Sequence, residues 1–358
     1  MATPPPPPHI PLISLAPYLD GSSPSTVIAA VRRACTEYGF FQLADHGVSL
    51  ALQMAALECA ARFFALPAAE KRALAIDGPS GRGYEGVGGQ TLQKGGVPDL
   101  KEVSWWPRWG ISQPPSLPGT SPPHDENLPL LNTTDLAPQG LYIGDEIPPT
   151  SPLAGTFLHG PNHWPSSLPP STFHTPLMDY RAALLAVATT LMRILVSGLS
   201  GGDDFFTDFT AEPVVANLKL LHYPVPPATD NGESLGAGAH TDFGALTLLL
   251  QDPSAPGLEV QSPSTPSTPT AWIPVPALAN ILVVNVGDLL AAWPGGGYRS
   301  AVHRVRNRTG GERYSVPFFY HGNMNARVGG EGEGEGRTVG EHIRARFRGV
   351  DNHAAHRG

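Results

Sequence analysis

Ala239-His240-Thr241-Asp242-Phe243-Gly244-Ala245-Leu246-Thr247-Leu248-Leu249-Leu250 opens with an imidazole and a carboxylate two residues apart and continues as an apolar run of strand type. In extended backbone alternate residues share a face, so His240 and Asp242 can address one metal ion. A His-X-Asp triplet is expected roughly 0.6 times by chance in a chain of this composition, so the pair decides nothing without a third ligand. His303 supplies one. It lies in the strand-like run Tyr298 to Val305, behind the turn Pro294-Gly295-Gly296-Gly297.

Two histidines and one carboxylate on one face leave three coordination positions open. That donor set points to a mononuclear non-haem iron(II) site, where oxygen and an organic co-substrate must both reach the metal. Zinc hydrolases use similar donors but keep one open position. Ten residues beyond His303, Arg313-Tyr314-Ser315 is a second alternating pair, aiming a guanidinium and a hydroxyl into one cavity. A buried Arg needs an anionic partner. A dicarboxylic co-substrate that chelates the metal at one end can offer the other end to the planar two-point fork of Arg. Taken singly, each residue has a plainer reading: His303 as a satisfied core histidine, Arg313 as a surface arginine paired to a protein carboxylate.

Around these residues the chain turns β-rich. Val214 to Tyr223, Ala245 to Leu250, Gly257 to Gln261, Ile281 to Val286, Tyr298 to Val305 and Tyr314 to Tyr320 are short runs separated by Gly and Pro, the spacing of a sandwich or barrel. Upstream the pattern is mixed. Ile10 to Leu15 reads as a strand, and Val27, Ile28, Val31 and Cys35 form a helical stripe after Ser23 and Ser25, closed by Gly39. Phe40 to Leu43 returns as strand and Ser49 to Phe64 as helix, stopped before Pro67. A third helix is expected from about Pro176 to Leu199, with Leu177, Tyr180, Leu184, Met192 and Leu195 inward and Gly201 and Gly202 closing it. Two low-complexity loops, Ser262 to Thr270 and Gly329 to Gly336, interrupt the β region.

Composition narrows the class. In 358 residues, 41% hydrophobic and 15% charged, there is enough apolar material for a sizeable core, and the 40 Pro and 40 Gly belong in loops. A formal charge of -8 without a Lys/Arg patch disfavours nucleic acid and anionic lipid as partners. Cys35 and Cys59 make neither a disulfide framework nor a cysteine-rich zinc site. The run Met1 to Pro8 has no basic or apolar leader character and reads as a solvated polyproline tail. No window approaches the roughly 20 apolar residues of a spanning helix. A soluble, cytoplasmic monomer acting on a small molecule is the expectation.

The ordered set His240-Thr241-Asp242, Val284-Asn285-Val286-Gly287-Asp288, His303-Arg304-Val305 and Arg313-Tyr314-Ser315 resembles the isopenicillin N synthase-like iron and 2-oxoglutarate-dependent dioxygenases. Upstream matches are Ile10-Pro11-Leu12-Ile13, Tyr38-Gly39-Phe40-Phe41, Asp45-His46-Gly47, Phe63-Phe64, Gly81-Arg82-Gly83-Tyr84, Asp99-Leu100-Lys101-Glu102, Gly160-Pro161-Asn162 and Trp164-Pro165. The resemblance implies a mainly β fold with flanking helices, a distorted double-stranded β-helix (jelly-roll) core with the metal in its mouth. It implies iron(II) on His240, Asp242 and His303, and 2-oxoglutarate clamped through its far carboxylate by Arg313, Ser315 and Tyr223. The implied reaction consumes O2 and hydroxylates, desaturates or cyclises a small organic molecule, releasing succinate and CO2. Many plant members carry Asn two residues before that tyrosine, where this chain has Leu221. The near end of the co-substrate is therefore contacted differently. Phe243 and Phe319 are candidate pocket walls beside a more ordinary role as core aromatics. Two alternatives stay open: a 2-oxoglutarate-independent oxidase like isopenicillin N synthase, and a non-catalytic product.

The second alternative comes from one segment. The expected organisation is a tail 1–9, an N-terminal α/β region 10–175, a catalytic unit 176–348 and a tail 349–358. Val103 to Gln139 fits none of these, with eight prolines, three tryptophans and no period, well beyond the roughly 12 to 15 residues a compact domain tolerates as structureless loop. It reads as a retained intron or a disordered insert. Val103-Ser104 can be encoded GTGAGT, Gln139 can be CAG, and joining Glu102 to Gly140 restores a segment similar to the family's. Messenger RNA from the source is expected to include a species lacking these codons. Transcripts that uniformly retain them would end the intron reading.

Overall fold

The computed structural model describes residues 9–76, 78–86, 139–197, 202–225, 236–263, 270–293, 297–307, 310–328 and 337–354. The proline run 1–8, residues 103–138 of the anomalous segment and the Gly/Glu loop 329–336 lie outside them, and the Ser/Thr/Pro loop is described only at its ends.

Leu12–Ser14 (β1) leads through the single turn Ala16–Leu19 (α1) and the helix Pro24–Glu37 (α2) into Phe40–Ala44 (β2). Pro24 sits in the first turn, where its missing N–H costs nothing, and Val27, Val31 and Cys35 form the buried stripe. Gly39 reverses the chain with φ +69°, and a Cβ there would lie 2.1 Å from the Arg299 carbonyl oxygen. Only glycine lets α2 turn into β2 against the segment that carries His303.

Ser49 caps Leu50–Phe64 (α3), its hydroxyl accepting the Leu52 N–H at 3.2 Å. Ala68–Ala73 (α4), Gly83–Glu85 (β3) and Gln139–Ile143 (β4) follow, then the long helix His174–Val196 (α5). As expected, α5 buries Leu177, Tyr180, Leu184, Met192 and Leu195, each contributing about 1.5 to 3 kcal/mol of burial free energy. The expectation that Gly202 helps to close this helix is corrected: Gly202 opens Gly202–Thr210 (α6), with Asp203 and Asp204 in the first turn, where helix-end polarity favours anions.

The β region comprises Val214–Tyr223 (β5), Ala237–His240 (β6), Leu246–Gln251 (β7), Leu258–Gln261 (β8), Trp272–Pro274 (β9), Leu282–Val286 (β10), the turn Asp288–Ala291 (α7), His303–Val305 (β11) and Arg313–Asn323 (β12). Val339–Ala354 (α8) closes the described chain and takes in part of the stretch expected as tail, docked by the fully buried Val339 and Ile343 one turn apart. Of the run expected from Tyr298 to Val305, only the last three residues pair. Tyr298 instead enters the helix-side core and donates its hydroxyl to the Leu195 carbonyl at 2.6 Å.

The larger sheet has the order β1-β2-β10-β7-β12-β5-β4-β3, the smaller β6-β11-β8-β9. Together they are the double-stranded β-helix of a mainly β fold with flanking helices. Alternation along β5 shows the layering. Ala216, Leu218 and Leu220 join the core shared with α2, α3 and α5, while Tyr223 and Leu221 pack into a second core with Leu258, Val260 and Ile273 of the smaller sheet. Asn217, Lys219, Leu221 and Tyr223 therefore line the inside of the roll.

Candidate functional site

β6 and β11 are antiparallel, and their register sets His303 directly opposite His240. The two imidazoles are 4.3 Å apart between ring centroids. Asp242, two residues past His240, completes the group: its Oδ1 is 3.9 Å from Nε2 of His240 and 3.9 Å from Nε2 of His303. One donor atom from each residue lies within 4.8 Å of the others, and this is the group of three that could hold a metal ion among the described residues.

The opposite side of each residue is already engaged. His240 Nδ1 lies 2.7 Å from the Gly238 carbonyl and His303 Nδ1 3.1 Å from the Ala301 carbonyl, so each Nδ1 carries the proton and Nε2 presents a lone pair. Asp242 Oδ2 accepts from Thr247 Oγ1 at 2.6 Å and from Asn285 Nδ2 at 2.7 Å, which turns Oδ1 toward the imidazoles. Burial alone would push the Asp242 carboxyl up, but His303, His240, Thr247 and Asn285 outweigh it and hold the group below the usual carboxylate range. Phe40 packs edge-on against the His303 ring at 5.2 Å. Two imidazoles presenting Nε2 and one ionised carboxylate, each fixed from behind, fit a divalent transition metal.

Arg313, Ser315 and Tyr223 also converge. Tyr223 stands opposite Arg313 in the β5–β12 register, and the guanidinium lies over its ring at 4.6 Å. Arg313 is fully buried and donates to the Ala255 carbonyl at 3.1 Å, to Ser315 Oγ at 3.4 Å and to Gln251 Oε1 at 3.4 Å. Among the described residues no carboxylate comes within ion-pair distance of it. A buried cation without a counter-ion is costly and fits an anionic ligand. Ser315 faces Gln251 across β12–β7, and Phe319 faces Thr247 four residues on. Ser315 and the row of Thr247 and Phe319 are thus about 13 Å apart along the strands before their side chains reach toward each other. Leu221 stands opposite Ser315 and packs into the inner core.

Asn285 and Thr247 are not legible as site residues in the sequence. Asn285 stands inside the quoted Val-Asn-Val-Gly-Asp motif, but nothing in spacing says that β10 runs beside β7 and brings its amide to Asp242. Gly287 of the same motif lets this happen, because a Cβ there would lie 2.1 Å from the Gly244 carbonyl oxygen. Asp288 then donates its N–H to the Asp242 carbonyl at 2.8 Å, and its carboxylate accepts from Thr241 Oγ1 at 3.1 Å and from Arg346 of α8 at 2.5 Å. Of the two candidate wall residues, Phe319 stands on the inner face between Asn217 and Thr247, while Phe243 is half-buried under the Arg346 guanidinium at 5.1 Å.

Comparison with known proteins finds likeness over most of the chain. The model of the 2OG-Fe(II) oxygenase superfamily matches residues 215–322, and that of the non-haem dioxygenase in morphine synthesis N-terminal region matches residues 10–115. The 2-oxoglutarate-dependent dioxygenase caaD of Aspergillus niger is 37% identical over 344 residues, covering 95% of this chain and 92% of the relative. The 2-oxoglutarate-dependent dioxygenase tropC of Talaromyces stipitatus is 36% identical, with 94% of each chain covered. The crystal structure of a full-length Neurospora crassa protein in complex with alpha-KG shares the fold, with a TM-score of 0.71 and 24% identity over 95% of this chain and 96% of that one.

A neighbouring inward group gives a measurable pH response. Burial pushes the His321 imidazole down to about 4, and its Nδ1 has no partner among the described residues. The folded-state value lies below the ordinary one, so the unfolded chain binds the proton first and stability falls as pH drops from about 6.5 toward 4. The loss is on the order of 3 kcal/mol. Chemical denaturation of the metal-free protein at pH 7.5 and 4.5 is expected to show a smaller loss in His321→Gln than in the wild type. Equal losses would contradict the assignment.

Proposed function

The chain belongs to the 2OG-Fe(II) oxygenase superfamily, and on that premise we propose that His240, Asp242 and His303 hold its iron(II), while Arg313, Ser315 and Tyr223 hold the far carboxylate of 2-oxoglutarate. It is a 2-oxoglutarate-dependent dioxygenase, using iron(II), 2-oxoglutarate and O2 to oxidise a small organic molecule with release of succinate and CO2. Neither the 2-oxoglutarate-independent oxidase nor the non-catalytic product is favoured by this kinship.

The observation that carries the residue assignment is the convergence of three donor atoms whose reverse sides are each occupied by a hydrogen-bond partner. Bound iron supplies the redox chemistry that couples oxidative decarboxylation of 2-oxoglutarate to oxidation of the prime substrate. The protein's part is positional. Thr247 and Asn285 fix the Asp242 carboxylate, the Gly238 and Ala301 carbonyls fix the two histidine tautomers, and Arg313 with Ser315 offers donors to the distal carboxylate. Gln251 and the Ala255 carbonyl hold the guanidinium level for that contact.

The same reading takes 176–348 as the catalytic unit and 10–175 as the region that completes its larger sheet, supported by β1 to β4 lying at the two ends of that sheet. We read the protein as a cytoplasmic monomer without nucleic-acid or membrane partners. The support is two buried free cysteines, a formal charge of -8 and, among the described residues, no helix long and apolar enough to cross a membrane.

His240→Ala is expected to abolish iron binding and 2-oxoglutarate-dependent succinate formation while the protein stays folded, because the ring is drawn from a half-buried site and not from the packed core. Unchanged succinate formation would refute the assignment. Arg313→Lys should raise the Kd for 2-oxoglutarate by roughly 10- to 100-fold, since an ammonium cannot reproduce the two-point fork. Direct titration measures it, and an unaltered Kd would remove Arg313 from the clamp.

A further inference from the structure

On the inner face of β5, Lys219 stands between Leu221 and Asn217, two strands away from Thr247, which holds Asp242. At about 4.8 Å per strand the two strands lie roughly 10 Å apart along the sheet, and the Lys219 side chain reaches away from β7, over Gly140 of β4 toward Glu85 of β3. Three adjacent strands build a cluster here. Tyr142 of β4 stands opposite Lys219 in register, and on β3 Glu85 lies two residues past Gly83, the residue opposite Tyr142. The Lys219 ammonium lies 2.7 Å from Glu85 Oε2, donates to Tyr142 Oη and sits 4.1 Å from the centre of the Tyr142 ring. Gly140 makes the space: a Cβ there would come 2.3 Å from Lys219 Cε.

Burial pushes the Lys219 ammonium down, but Glu85 and Tyr142 override it and keep the group protonated. Burial pushes the Tyr142 phenol up to about 12, so it stays neutral and donates to Glu85 at 3.4 Å. An ammonium has three N–H bonds. Glu85 takes one and Tyr142 a second, and among the described residues no acceptor takes the third. Next to Lys219 on the same face, Asn217 accepts from Nη1 of the buried Arg82 at 2.6 Å, and Leu158 O accepts from Nη2 at 2.9 Å. Among the described residues the buried Nε of Arg82 has no hydrogen-bond partner and no carboxylate lies within ion-pair distance of this arginine. Asp145 and Glu146 act on Arg82 from beyond ion-pair distance, while Glu85 is the carboxylate in contact with Lys219.

We propose that Lys219 is a specificity-determining residue that binds the prime substrate through a carboxylate, aldehyde or ketone oxygen, the acceptor for its third N–H. This rests on the iron-ligand assignment above, because the substrate must lie between Lys219 and the metal. A substrate whose near end is hydrocarbon would leave a buried donor unanswered, which such sites disfavour. Phe319, on the same inner face, offers a flat ring surface that suits a planar substrate.

The test uses the full chain, loaded with iron(II) and saturating 2-oxoglutarate without oxygen, and titrates 4-hydroxybenzoate, 4-hydroxybenzaldehyde and 4-methylphenol by calorimetry. These probes share a phenol ring and differ in the group opposite the hydroxyl, which is an anionic carboxylate, a neutral carbonyl or a methyl group; the neutral aldehyde and methyl pair isolates the carbonyl oxygen from the effect of net charge. The wild type is expected to bind the first two on the order of tenfold or more tightly than the third, a single charge-assisted hydrogen bond. Lys219→Met should erase that preference and Lys219→Arg restore part of it. Because Lys219→Met strands the Glu85 carboxylate, the double variant Lys219→Met/Glu85→Gln repeats the measurement with both charges removed. A wild type without the preference, or a preference that survives in the double variant, overturns the proposal. Titrations of iron and 2-oxoglutarate alone on the same samples separate this outcome from failure of the iron assignment, which would appear there first.

Discussion

The Asp242 carboxylate is the constraint on which the site depends. A buried carboxylate between two imidazoles is tolerable only if each oxygen has defined work, and the fold divides that work cleanly: Oδ2 accepts from Thr247 and Asn285, Oδ1 faces His240 and His303. The two donors come from β7 and β10, so the larger sheet orients a ligand group that stands just past the end of β6 of the smaller sheet. Neither sheet alone would hold the three donors in one place. The close approach of the Gly287 segment to the Gly244 carbonyl and the turn at Gly39 beside Arg299 are the backbone conditions for that joint.

Alternation along the strands then sorts chemistry from packing. β12 sends Val316, Phe318 and Tyr320 into the helix-side core, while Arg313, Ser315 and Phe319 face the roll. On β5 Ala216, Leu218 and Leu220 likewise face the helices, and Asn217, Lys219, Leu221 and Tyr223 face inward. The outer face supplies stability through apolar burial, and the inner face can therefore carry charges that would be costly in an ordinary core.

The parts of this that are legible in the sequence are those in which the determining geometry is local. His240 with Asp242, and Arg313 with Ser315, follow from the period of a strand, and the long helix follows from its apolar stripe. The fold as a whole becomes legible only through the spacing of several motifs taken together. What stays hidden depends on strand order. That His303 faces His240, that Asn285 and Thr247 meet one oxygen, and that Lys219 shares a wall with Glu85 and Tyr142 are consequences of register between segments far apart in the chain. Tyr298 reads as strand for a related reason: an aromatic residue near a β run carries no sign that its partner is a helix carbonyl. Gly202 reads as a helix end because glycine ends one helix as readily as it precedes another.

The most direct test of the central claim is an anomalous-difference map from crystals of the full chain grown with iron(II) in the absence of oxygen. One strong peak within bonding distance of Nε2 of His240, Nε2 of His303 and Oδ1 of Asp242 is the expected result, with Oδ2 still held by Thr247 and Asn285. A peak elsewhere, or one bonded through Nδ1 or Oδ2, would contradict it.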